Sequence, residues 1–185
     1  MMTYKYHPYI DDYINAIRSG KIKASKELKQ ACDYIELKLN KPDVFIDKDK
    51  IGEAVSLIEK YFEIKLIDWE LFVIALEHCY YKSNDTVVFD EIFIMMGRGN
   101  GKNGFISGNT FYLSSPKHGI KGYNIDIIAN SEDQAKTSFE DIFQMLELHW
   151  IKLKKFYYKS KELIKCMKFN RISVTSPPSS ITFCK

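Results

Sequence analysis

Thr86-Val87-Val88-Phe89-Asp90-Glu91-Ile92-Phe93-Ile94-Met95-Met96 runs directly into Gly97-Arg98-Gly99-Asn100-Gly101-Lys102-Asn103, and this junction decides how the rest of the chain is read. The first stretch is rich in β-branched and aromatic side chains and ends at glycines, which predicts a buried strand. The second sets Gly97, Gly99 and Gly101 at alternate positions, and residues 103–113 beyond them suit a helix. A phosphate chain needs backbone N–H groups converging on it. Glycines permit that by tolerating unusual dihedrals and by keeping side chains away. A lysine at the helix start then reaches the β- and γ-phosphates, and the next side chain can bring an oxygen near magnesium. Lys102 and Asn103 stand in those two places. Against the pattern G-x-x-x-x-G-K-[ST] there are two departures: Met96 replaces the first glycine and Asn103 the hydroxyl residue. Neither removes the chemistry, since an amide oxygen can ligate magnesium or hold one of its waters. The competing reading is a glycine-rich turn that joins strand to helix and binds nothing.

Outward from the loop, residues 123–129 (YNIDIIA) suit a second strand. Ser131 then opens a helix with Gln134 three residues on, a capping-box spacing, and Ala135, Phe139, Ile142, Phe143 and Leu146 give that helix one apolar face. Strand, helix, strand, helix predicts a parallel sheet with right-handed crossovers. Upstream, Leu28, Cys32, Ile35 and Leu39 recur at helical spacing behind Ser25, a candidate cap, and Ile51, Val55, Ile58 and Phe62 repeat the pattern. Residues 40–43, with Pro42, read as the turn between them. The expected architecture is α/β: a helical N-terminal region at 1–84, an incomplete P-loop NTPase parallel sheet at 85–165, and an irregular tail at 166–185. Pro177, Pro178 and a crowd of serines argue for that tail.

With 45% apolar and 14% aromatic residues the chain has the composition of a globular protein. Its longest apolar stretches fall short of the roughly 20 residues needed to span a bilayer, so no membrane association is expected. The N-terminus, with acids and tyrosines, lacks the basic start and apolar run of a secretory signal. The four cysteines form no C-x-x-C pair, which argues for a reducing interior and against zinc or a disulfide framework. His7, His78, His118 and His149 show no ligand spacing. A net charge of +3 is too near balance to signal nucleic-acid binding by itself. Between residues 150 and 168, however, seven lysines stand against Glu162 alone, interleaved with Phe156, Tyr157 and Tyr158. This reads either as the solvated face of a helix or as a phosphate-contacting surface.

FIMMGRGNGKNGF at 93–105 and DIIANSEDQAKTSFEDI at 126–142 together resemble the deviant Walker A and the following strand and helix of tailed-phage terminase large subunits. The resemblance spans 9–161 and is densest over 69–143. It implies the ATPase half of a motor that threads double-stranded DNA into a preformed capsid, with ATP and Mg2+ as cofactors. It also implies the small terminase subunit and the portal as partners, further copies of the chain in a homo-oligomer, and a phage- or prophage-encoded protein in the bacterial cytoplasm. By the same resemblance Gly97, Arg98, Gly99, Asn100, Gly101, Lys102 and Asn103 hold the nucleotide. Lys102 contacts the β/γ-phosphates, Asn103 assists the metal, and Arg98 offsets charge on the transferring phosphoryl group. Trp69 and Glu70 match a Trp-Gln pair that approaches adenine, with Glu70 where glutamine is usual; the bland reading of Trp69 is a core residue at a helix start. Gln134 matches too, although capping alone explains it.

Val87-Val88-Phe89-Asp90-Glu91 imitates a Walker B strand, whose Asp holds magnesium and whose Glu orients water. It runs straight into the glycine loop, so it must lie on the loop's own strand at the far end, and a catalytic role is rejected. After Ala129 no other apolar strand ends in Asp-Glu, and no acidic cluster suits a two-metal nuclease. The expectation is a truncated or frameshifted frame: a nucleotide site without its water-activating half. The alternative is a non-catalytic binding or interaction remnant that uses the lysine-rich stretch.

Overall fold

The computed structural model describes residues 4–128, 132–160, 163–166 and 171–175. The chain divides into two compact units, Met1–Val55 with Lys65–Met95, and Ser56–Ile64 with Met96–Lys185. The division falls at 95/96, eleven residues beyond the expected 84/85 boundary.

In the first unit, helix α1 (Pro8–Arg18) starts on His7, whose ring accepts from the Tyr9 N–H, with Pro8 at the first position, where its missing N–H costs nothing. Ile10, Ile14 and Ile17 make its buried stripe. Helix α2 (Lys26–Leu39) is capped by Ser25, which accepts from Leu28 N at 3.2 Å, and buries Cys32, Ile35 and Leu39, as the spacing predicts. Strand β1 (Val44–Ile46) comes next, and Asp47 Oδ1 accepts from Lys50 N at 3.0 Å to start helix α3 (Lys48–Phe62). Helix α4 (Asp68–Glu77) is buried nearly all round through Phe72, Val73, Ile74, Ala75 and Leu76, and packs on α1, where Tyr13 stacks on Phe72. Strand β2 (Cys79–Tyr81) pairs antiparallel with β1. This two-stranded sheet was not expected in a region read as helical, because strands of three residues are too short to show alternation.

The segment 86–96 corrects the sequence reading. Tyr80 and Val87 form an isolated bridge, Val88 N donates to Cys79 O, and no described strand pairs with residues 89–96. Phe93 is 88% exposed and Met95 83%. Strand propensity reports fitness for a pleated, half-buried surface. Among the described residues no strand meets 89–96, so the propensity there has nothing to act on.

In the second unit, helix α5 (Lys102–Ser114) leads to strand β3 (Ile125–Ile128), helix α6 (Glu132–Leu148), the single turn α7 (Trp150–Leu153), and strands β4 (Tyr157–Lys159), β5 (Leu163–Cys166) and β6 (Arg171–Thr175). The sheet order is β3-β6-β5-β4, with β3 and β6 parallel and the other pairs antiparallel. The architecture is mixed helix and strand, and the sheet holds one parallel pair rather than an all-parallel set. Two further expectations change. Residues 171–175, assigned to an irregular tail, form a strand inside the sheet: Ile172 and Val174 alternate with polar residues, a signal hidden by the neighbouring prolines and serines. The lysine-rich stretch is helical only to Leu153 and then becomes the β4–β5 hairpin, where buried Tyr157, Ile164 and Cys166 alternate with exposed Tyr158 and Lys165. The core gathers Phe111, Phe139, Ile142, Leu146, Tyr157, Ile164 and Ile172. The expected cap at Ser131, and the Gln134 side chain within it, lie outside the described residues.

Candidate functional site

The loop between Met96 and α5 takes its shape from two glycines. Gly99 has φ +82° and Gly101 φ +78°, and Gly101 is also the residue on which α5 begins. A side chain at either would force the left-handed region, costing about 1–2 kcal/mol. Gly97 has an ordinary φ, and a Cβ there would meet only Asn100 Nδ2 at 3.4 Å. Its glycine is therefore not required by the backbone.

Within the loop, Asn100 Nδ2 donates to Gly97 O at 3.3 Å. Lys102 folds back from the first position of α5, and its Nζ donates to Met96 O at 2.8 Å and Gly97 O at 3.0 Å. The ammonium thus closes the loop from the helix start to its opening residues. Phe105, 2% exposed, anchors the first turn in the core, and its N–H bonds Gly101 O. No side chain caps α5 and no acid lies in its first turn. The first-turn N–H groups, the positive end of the helix dipole, Lys102 and the exposed Arg98 therefore all carry one sign of charge at one end of the element. Such an arrangement suits an anion with several oxygens, as phosphate has.

Asn103 is exposed, and its side-chain amide makes no hydrogen bond among the described residues. No group of three or more His, Cys, Asp or Glu side chains among the described residues could form a metal cage. Mg2+ commonly takes one or two protein oxygens and draws the rest from waters and substrate phosphates, and Asn103 next to Lys102 fits that mode. A residue not singled out in the sequence reading lies one turn further along. Ser107, fully buried, has its Oγ 2.7 Å from Asn103 O and 2.9 Å from Asp141 Oδ2 of α6. The available signal was a serine at i+4 from Asn103 on a helix otherwise lined by core residues.

Trp69 and Glu70 belong to the other unit, at the start of α4. Glu70 Oε2 accepts from Ile67 N at 2.9 Å, which fixes the carboxylate as a helix cap. Burial raises its pKa, and the bond from Ile67 opposes that shift. Trp69 is half-buried, and Asp90 and Glu91 are exposed.

No protein-family model matches this chain, and no curated protein sequence is a significant match. Among solved structures, the crystal structure of the HK97 bacteriophage large terminase is similar, with a TM-score of 0.58 and 17% sequence identity. The likeness covers 72% of this chain and 29% of that one, so the chain spans less than a third of that protein's length. At this identity the likeness is one of fold, and the matched part of the chain has a terminase-like fold.

Proposed function

We propose that this chain is the ATP-binding segment of a terminase large subunit, the motor ATPase that packages viral DNA into capsids. The observation that carries the reading is the loop at 96–103, where Gly99 and Gly101 turn the backbone into the start of α5 and Lys102 folds across the loop carbonyls. The terminase-like fold supports it. On this reading the loop N–H groups and the first turn of α5 hold the phosphates. Lys102 exchanges a carbonyl partner for a phosphate oxygen, and Arg98 offsets charge on the transferring group. Mg2+, when bound, neutralises phosphate charge, and Asn103 supplies its protein oxygen. Double-stranded DNA, the small terminase subunit, the portal and further copies of the chain are the partners, in the bacterial cytoplasm. No carboxylate of this chain is assigned to water activation, so the segment's proposed role is nucleotide binding.

The test is calorimetry of ATP with Mg2+ on the wild type and on Lys102→Ala. Binding that the substitution weakens by about tenfold or more supports a working phosphate cradle. A folded wild type that binds no ATP defeats the nucleotide reading. The surviving alternative is then an interaction module working through the exposed Phe156, Tyr158, Lys154 and Lys155.

A further inference from the structure

We propose that Asp141 is a positioning residue for the nucleotide site, acting through Ser107 on Asn103; the inference rests on the nucleotide reading above. Ser107 Oγ stands between two acceptors, the Asn103 carbonyl at 2.7 Å and the Asp141 carboxylate at 2.9 Å. A hydroxyl has one hydrogen. The bond to the Asp141 carboxylate competes for that hydrogen against the back-bond to the carbonyl. Serine back-bonds of this i−4 kind bend the turn they act on. Here the turn acted on carries Asn103 and, beside it, Lys102. Asp141 therefore sets how strongly Ser107 pulls on the turn that presents the metal-assisting amide.

The carboxylate is well placed to do this because α6 is held firmly. Ile142 and Leu146 of α6 are fully buried, and the helix packs on α5, β3 and β6. Ser107 is itself 0% exposed, so water does not compete for its hydrogen. An aspartate on a merely solvated helix face would have no such partner. The pair thus ties the site's first turn to the sheet-covering helix by a polar link, while Phe105 ties it by an apolar one.

The experiment measures ATP binding by calorimetry with and without Mg2+ on the full chain, for wild type, Lys102→Ala, Ser107→Ala and Asp141→Asn, with thermal midpoints recorded alongside. The expected result is that Ser107→Ala and Asp141→Asn bind Mg2+-free ATP within about twofold of wild type. Both should lose about fivefold to tenfold of the enhancement that Mg2+ gives. A pair that merely holds the fold together would lower the midpoint and weaken both affinities alike, and that outcome overturns the inference. So does an unchanged Mg2+ enhancement in both variants. Asp141→Asn preserves volume and carries the test should Ser107→Ala not fold. The two levels separate cleanly. Lys102-dependent binding with unaltered Mg2+ enhancement removes this inference alone, whereas a wild type with no Lys102-dependent binding removes the nucleotide reading and this inference with it.

Discussion

The imidazole of His78 is completely buried at the end of α4, with Nδ1 2.8 Å from the Ile74 carbonyl one turn back. Burial disfavours its charged form most; the bond to Ile74 opposes this, Lys50 adds a repulsive charge and Asp47 a weaker attraction, and the pKa lies below the usual histidine value. The unfolded chain binds a proton as pH falls through about 6.5, whereas the folded ring stays neutral to lower pH. Stability therefore declines as pH drops from that value and levels off once the folded ring also titrates. The thermal midpoint should fall between pH 7 and pH 5. His78→Gln should be less stable at pH 7 yet show a flatter slope over that interval, and an undiminished slope would assign the effect to other groups. Neighbouring Cys79, its thiol pushed up to about 12 by burial, should resist alkylation in the folded protein.

Among elements, α5 owes its position to a glycine. A Cβ on Gly108 would lie 2.6 Å from Ile58 Cγ2, closer than real contacts allow, so the side of α5 at Gly108 and the end of α3 at Ile58 approach more closely than any larger residue permits. Gly108→Ala should destabilise by about 1–3 kcal/mol through overpacking, despite alanine's better helix propensity. Adding Ile58→Val should recover part of the loss, a coupling that a chemical-denaturation double-mutant cycle reads directly. Gly108 also illustrates what the sequence concealed, since nothing local distinguishes a glycine that admits a neighbouring helix from one that merely weakens its own. Helix α2 was legible because Ser25 marks its start and its buried positions recur at helical spacing, whereas α5, buried nearly all round, was legible from the Gly101-Lys102 junction that starts it. The place of the glycine loop was legible too, although the pattern assigns Gly97, Gly99 and Gly101 one role and only the last two take the left-handed conformation. Strands β4, β5 and β6 were not. Lysines and serines crowd the sequence around those short segments, and the alternation of Tyr157, Ile164, Cys166 and Ile172 emerges only when the strands pair. Residues 86–96 failed in the opposite sense, with strong intrinsic preference and no ladder to join. The Ser107–Asp141 link was illegible because it joins positions 34 residues apart.

For the molecule as a whole, that unladdered segment has consequences for association. No helix among the described residues is long and apolar enough to cross a membrane. The net charge of +3 gives little long-range repulsion between copies. Phe93 and Met95, 88% and 83% exposed, sit in an apolar run with Ile92 and Ile94 that has strand-forming composition and no charge of its own. Such runs present unpaired backbone and sticky side chains to other chains. The chain should therefore self-associate with rising concentration, as light scattering would record. Replacing Phe93 and Met95 with lysine should suppress the association, because two cations in this segment both remove apolar area and repel an identical approaching segment. The substitutions should leave the thermal midpoint nearly unchanged, since neither side chain is buried. If scattering persists in the double variant, association runs through another surface, of which exposed Leu148 and Ile151, at 82% and 85%, are the next to change. A large drop in the midpoint instead would give Phe93 and Met95 a packing role within the fold and defeat the prediction.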